Sequence, residues 1–207
     1  MANPKARRAG ALVLSSLAVT MVVGAAGLAA YPFFTDWRAE SRQSTLQVEF
    51  SSKATRELYR TRAVEVGKPL TRILIPKLGV DTVVVEGVSA KALAAGAGHY
   101  QMTPLPGETG NVAIAGHRTM YGKPFAGLDL LGVGDKVELF TPLARHTYEV
   151  TRAPFVIDQN DWSVIEASSE PLLTLTTCHP KGSSKQRLVV RAGLVSSQPV
   201  GPGGPGA

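Results

Sequence analysis

The chain predicts a mainly β domain, a small closed or nearly closed barrel with one or two short helices, carried behind an apolar N-terminal helix. Three observations lead there. Short runs of β-branched and aliphatic residues, about seven or eight of them, follow one another with brief Gly/Pro-rich connections. Ala9 to Thr35 contains no charged residue, which is enough apolar chain to cross a bilayer. The composition of the remainder, within a total of 44% hydrophobic and 18% charged residues, is that of a globular domain.

In chain order, residues 1–8 carry Lys5, Arg7 and Arg8 ahead of the apolar segment 9–35. Basic residues on the N-terminal side leave that end in the cytoplasm and place the body of the protein outside, as a single-pass membrane protein. A cleaved signal peptide is the competing reading, because Gly27-Leu28-Ala29 has small-x-small character. The run exceeds the usual apolar core of a signal, about 7–15 residues, which favours an uncleaved anchor in contact with membrane lipid. Residues 36–65 read as an extracytoplasmic stalk, helical or partly disordered. Residues 66–195 hold the strands, and 196–207, SSQPVGPGGPGA, read as a disordered Gly/Pro tail.

Within the body, Thr71–Gly79 and Asp81–Glu86 are two strand-like runs split by a glycine turn. Ser89 caps a short Ala-rich helix that ends near Gly96. Asn111–Ala115 is a buried strand, and Gly127–Leu131 a helical turn. Lys136–Phe140 and His146–Val156 form a hairpin-like pair, and runs from Leu172 and from Leu188 complete the set.

The net charge of +6 resembles a nucleic-acid signal until it is located. Lys5, Arg7 and Arg8 supply half of it, and no basic cluster with interleaved aromatics follows, so no nucleic-acid partner is expected.

Chemistry concentrates at Leu172-Leu-Thr-Leu-Thr-Thr177, which ends at Cys178, the single cysteine of the chain. One cysteine makes no internal disulfide; it is either a small buried hydrophobe or a reactive thiol. Pro180 stops the strand. Arg187 lies nine positions on and opens the next apolar run. A thiol nucleophile needs a base, and of four histidines His117 is the best placed: it stands just past a buried strand, after a glycine. His146 reads as a surface residue beside Arg145. His179 adjoins Cys178, but successive residues of a strand face opposite ways. His99 falls in a loop that could line a groove. Arg187 would offer fixed positive charge to an oxyanion, or else form a structural ion pair; Arg191 shares its face further along. No C-x-x-C, H-x-x-x-H or H-E-x-x-H spacing is present, and nothing marks Asp158, Asp161 or Glu166 as ligands, so no metal and no cofactor are expected.

TLTTCHP followed by QRLVV, with AGHRT upstream and an apolar anchor before both, resembles a sortase from about Leu70 to Leu194. GHYQMTPLPGETGNVAIAGHR is similar, more narrowly, to the class E branch of actinobacteria, with class D the alternative. The resemblance implies an eight-stranded sortase barrel and a cysteine transpeptidase: Cys178 as nucleophile, His117 as general acid/base, Arg187 stabilising substrate and oxyanion. Tyr100, Thr176 and Thr177 would meet the substrate. It further implies secreted proteins with a C-terminal sorting signal as substrates, L-A-x-T-G in class E, cut between Thr and Gly, and a peptidoglycan-precursor amine as acceptor. Two other readings stand beside it: a cysteine protease that uses water, and a tethered, non-catalytic barrel in which Cys178 is core.

Overall fold

The computed structural model describes residues 4–201, with side chains from residue 16 onward. Residues 1–3, and 202–207 of the expected tail, lie outside the described residues. The chain divides into two units, Met1–Phe34 and Thr35–Ala207. Helix α1, Pro4–Phe50, runs through the boundary. In the first unit its side chains from Leu17 to Phe34 are exposed, and the helix is long and apolar enough to cross a membrane.

Among its described residues the second unit has nine strands: β1 Pro69–Ile75, β2 Val80–Glu86, β3 Ala97–His99, β4 Asn111–Gly116, β5 Lys136–Phe140, β6 Ala144–Val150, β7 Phe155–Asp158, β8 Leu172–His179 and β9 Gln186–Pro199. Neighbours run β6-β5-β1-β2-β3-β4-β8-β9-β7, and β6 also pairs with β9. That last pairing closes eight strands into a ring and leaves β7 as a short flank on β9. The barrel is mixed: β2–β3 and β4–β8 are parallel, the other pairs antiparallel. Alternation along the strands fills the interior with Ile73, Ile75, Ile114, Leu139, Leu173 and Leu175, all buried. Short helix α3, Ala90–Leu93, is capped as expected, the Ser89 side chain accepting from Ala92 N.

Two expectations are corrected by one feature. Strand β9 continues through Ser196–Pro199, paired with β6 from Ala144 to Val150, so the first part of the expected tail is barrel wall. A polar strand with Pro at its last position is compatible with pairing there. The same strand covers His146, which is buried rather than on the surface and bonds Ser197 Oγ through Nδ1 at 2.8 Å. Gly107 lies over that ring: a Cβ there would fall 2.1 Å from His146 Cε1.

The expected stalk is helical over most of its length, as one of its two readings had it, but it is docked on the domain instead of standing free. Residues 36–50 are helix, and the first half of 51–65 adds α2, Lys53–Arg60, capped by Ser52. Ala39, Leu46 and Phe50 are buried; with Asp36 and Gln43 they recur at intervals of three and four, one face of a helix. Leu46 and Phe50 pack with Val83, Val85, Ala92 and Ala95. Gln43 accepts from Val83 N at 2.8 Å and donates to Val83 O and Ala95 O at 3.0 and 2.7 Å. The segment is part of the domain. Leu46→Ala in the full chain is expected to cost about 2–5 kcal/mol in urea unfolding followed by tryptophan fluorescence. Val48→Ala, at an exposed position, is the control; equal losses in the two would refute the docked face.

Candidate active site

The ladder itself assembles the site. Strands β4 and β8 are in parallel register with Ala115 opposite Thr176, so two residues further His117 comes level with Cys178. Strand β9 runs antiparallel on the other side of β8 with Arg187 opposite Cys178. Base, thiol and guanidinium therefore stand in one row across three adjacent strands. The row lies at the C-terminal ends of the parallel pair.

Period-2 alternation sorts the side chains around that row. Leu173 and Leu175 point into the core, so Thr174, Thr176 and Cys178 face outward. Thr177 goes with the core: it is buried, and its hydroxyl donates to Gly116 O at 2.7 Å. The hydroxyl is thus committed to a structural bond that clamps β8 to the residue before His117, while Thr177 still borders the cleft beside Cys178. Thr176 keeps the expected side, its Oγ1 3.2 Å from the Tyr100 hydroxyl.

A cleft of about 440 Å³ opens over the row and is bordered by Cys178, His117, Arg187, Tyr100, Thr176 and Trp162, among others. Cys178 is partly exposed there. The Tyr100 ring meets Trp162 edge-on, centroids 6.5 Å apart. The Trp162 segment is held down by β-strand polar groups: Asn111 Nδ2 donates to Val164 O at 2.8 Å, and Arg191 Nη2 to the same oxygen at 3.0 Å. Arg191 thus braces the cleft wall rather than the reacting centre.

Gly116 precedes the base for a steric reason. A Cβ at that position would lie 2.6 Å from Phe125 Cδ2, and Phe125 is fully buried. Burial holds the His117 imidazole below its usual pKa, which favours the neutral ring, the form able to accept a proton. Arg187 makes no ion pair among the described residues. Its Nη1 donates to Ser184 O at 2.7 Å and Gln186 O at 3.0 Å, two carbonyls that fix the guanidinium plane and leave Nη2 and Nε for a ligand.

The remaining histidines are engaged elsewhere. His99 ends β3 and is buried; it borders a second pocket with Glu86, Thr103 and Leu105, away from the cleft over Cys178. Its Nδ1 lies 3.0 Å from Glu86 Oε2 and its Nε2 3.0 Å from Pro104 O. That tethers the loop following Tyr100. His179 Nδ1 accepts from Arg118 Nη1 at 3.0 Å.

Arg118 carries a structural role that its position beside His117 did not disclose. It is buried, donates from Nη1 to Cys178 O at 3.3 Å, and pairs through Nη2 with Asp129 at 3.0 Å. One side chain thus ties the residue after His117 to the backbone of Cys178. Trp162 was equally silent in sequence, an exposed aromatic in a polar connection. The only signal for either was proximity, to a motif histidine and to a Pro/Asp-rich loop.

Comparison with known proteins gives this architecture its class. The Sortase domain model matches residues 73–195, over half of the chain, and the chain belongs to the sortase family. Sortase SrtE1 of Streptomyces coelicolor is 28% identical over 98% of this chain and 64% of its own length. Sortase D of Bacillus subtilis is 32% identical over 61% of this chain and 64% of its own length. The chain therefore spans under two thirds of the length of these curated relatives. Among solved structures, sortase E from Streptomyces avermitilis matches with a TM-score of 0.60 and 38% identity, covering 69% of this chain and 97% of that one. A Clostridium perfringens Sortase D5 transpeptidase matches with a TM-score of 0.66 and 30% identity, covering 76% and 98%. The likeness is to class E, with class D beside it.

Proposed function

We propose that the protein is a membrane-anchored class E-type sortase, a cysteine transpeptidase that cuts L-A-x-T-G sorting signals between Thr and Gly and joins the new carboxyl end to an amine of a cell-wall precursor. The observation that carries the reading is the row of His117, Cys178 and Arg187 fixed by strand register at the floor of one cleft. His117 takes the thiol proton as Cys178 Sγ bonds to the Thr carbonyl carbon. Arg187 faces the oxyanion. Collapse breaks the Thr–Gly bond, and His117 returns the proton to the departing amine. The acceptor amine then attacks the thioester, gives its proton to His117, and the thiol is re-formed.

The preference for Ala at the second position of the signal rests on Tyr100, whose hydroxyl bonds Thr176 and whose ring meets Trp162 beside the thiol. On this reading the apolar part of α1 is the anchor, with the N-terminus inside and the barrel outside. Anchoring holds the enzyme beside substrates retained at the membrane and beside lipid-linked precursors. A class D-type reading, with an L-P-x-T-G/A-like signal, is favoured by the higher TM-score to the Sortase D5 structure.

The full chain in detergent micelles, given L-A-x-T-G and L-P-x-T-G peptides with and without a glycine-type amine, tests both readings by mass spectrometry. Amine-linked product from the first peptide is expected. Preference for the second would replace class E by class D. Water-only product whatever the amine concentration would make the enzyme a protease. No cleavage of either peptide would sink the transpeptidase.

A further inference from the structure

The turn after the catalytic histidine is held from outside the barrel. Tyr121, Gly122 and Lys123 all lie at positive φ, at 54°, 72° and 38°, a conformation that is costly for the two side-chain-bearing residues flanking the glycine and calls for support from their surroundings. Beside the turn's own bond from Lys123 N to Met120 O at 3.0 Å, support comes from a carboxylate. Asp36 Oδ1 accepts from Gly122 N at 2.9 Å, and Asp36 Oδ2 pairs with Lys123 Nζ at 3.0 Å. Burial alone would raise the Asp36 carboxyl pKa; the bonds from Gly122 and Lys123 outweigh it and hold the group below its ordinary value. The clamp is therefore intact at neutral pH. Gly122 also comes against the helix, where a Cβ would lie 3.5 Å from Ala39 Cβ.

The clamp reaches the reacting centre through one ring. Tyr121 packs on His117 with centroids 5.0 Å apart and planes inclined by 38°. The other titratable or charged groups that border the cleft with that imidazole are Cys178, Arg187, Asp161 and Tyr100. Asp161 is engaged by Ser163 N and Oγ at 3.0 and 2.6 Å.

We propose that the polar half of α1 is a positioning element for the catalytic histidine: Asp36 holds the 121–123 turn so that the Tyr121 ring stays on His117. The proposal rests on the acid/base reading of His117. Tyr121 limits rotation of the imidazole and keeps water from one of its faces. Asp36 is the first charged residue after the apolar stretch of the same helix. The segment proposed as the anchor is thus covalently continuous with a residue that sets the geometry of the base.

The test uses the full chain in detergent micelles with an L-A-x-T-G peptide and triglycine, comparing wild type, Asp36→Ala, Tyr121→Ala and the double variant across pH. Each single change is expected to lower kcat about tenfold with KM little altered, because a small displacement of a catalytic group is costly. The double variant is expected to be no worse than the more impaired single one, since both act along one route. The acid limb of kcat should move upward in pH, as the uncovered imidazole returns toward its ordinary value. Asp36→Asn, which keeps an acceptor for Gly122 N and loses the pair with Lys123, should fall between wild type and Asp36→Ala. Multiplicative losses in the double variant would overturn the proposal. So would an Asp36→Ala enzyme that melts earlier yet keeps the wild-type kcat and pH profile while folded. His117→Ala separates the two levels of the argument: turnover surviving it refutes the acid/base reading itself. Loss of turnover there beside a wild-type Asp36→Ala refutes only the clamp.

Discussion

Cys178→Ala is expected to abolish the thioacyl adduct and to reduce amine-linked product by a factor on the order of 10⁴ or more, down to background. Cys178 makes no hydrogen bond through its sulfur among the described residues, and it is partly exposed at the cleft floor. Its removal therefore takes away chemistry and leaves packing intact. Intact-mass measurement after incubation with peptide, without amine, reads the adduct directly. A melting temperature near wild type would complete the result. Product formation surviving the substitution would mean that another group is the nucleophile. A lowered melting temperature, with no adduct in the wild type either, would return Cys178 to the status of a core residue in a binding barrel.

Arg187→Ala is expected to lower kcat by about 10²–10³, the usual cost of losing a fixed donor to a developing oxyanion. The two carbonyls that hold Nη1 are paired with a planar fork, and a lysine reproduces neither its plane nor its spare donors. Arg187→Lys should therefore recover little of the loss. Single-turnover acylation, followed as release of the glycine-bearing fragment, places the defect in the first half-reaction. A change below about threefold in Arg187→Ala would fall well short of that cost and assign Arg187 to the 184–186 loop, not to the reaction.

How far the sequence disclosed this site follows from which interactions are local. A buried strand that stops at Cys178-His179-Pro180, and another that stops at Gly116-His117, are legible because β composition and strand ends are short-range properties. Their being level with each other is not. The match of Ala115 with Thr176, and of Cys178 with Arg187, is a long-range pairing that only the family resemblance supplied in advance. Thr177 borders the cleft as the motif suggested, while strand parity turns its hydroxyl inward to Gly116, which the motif did not disclose.

The larger misreadings share a cause. Polar residues were taken as solvent-facing when tertiary pairing had claimed them. Ser196–Pro199 has no apolar side chain to announce a strand, yet its backbone completes the ring, and with it His146 becomes interior. Residues 36–50 present a single narrow apolar stripe, interrupted by Gln43 and Asp36, whose partners are a β2 backbone edge and a distant turn. Buried polar contacts of that kind leave no periodic trace. Arg118 and the His99–Glu86 pair were invisible for the same reason.

The parallel pairing of β4 with β8 carries a consequence for descent. Because both strands run the same way, the chain leaves each of them at one rim of the barrel, and thiol and imidazole stand at the roots of those excursions rather than on them. Segments inserted beyond the roots can lengthen, shorten or be exchanged without disturbing the ladder that aligns the chemistry. On the proposed function, a change in those segments would alter which signal is bound while the row of His117, Cys178 and Arg187 stays aligned. Grafting a rim segment from one member into another is therefore a route to new specificity that leaves the nucleophile and its base untouched.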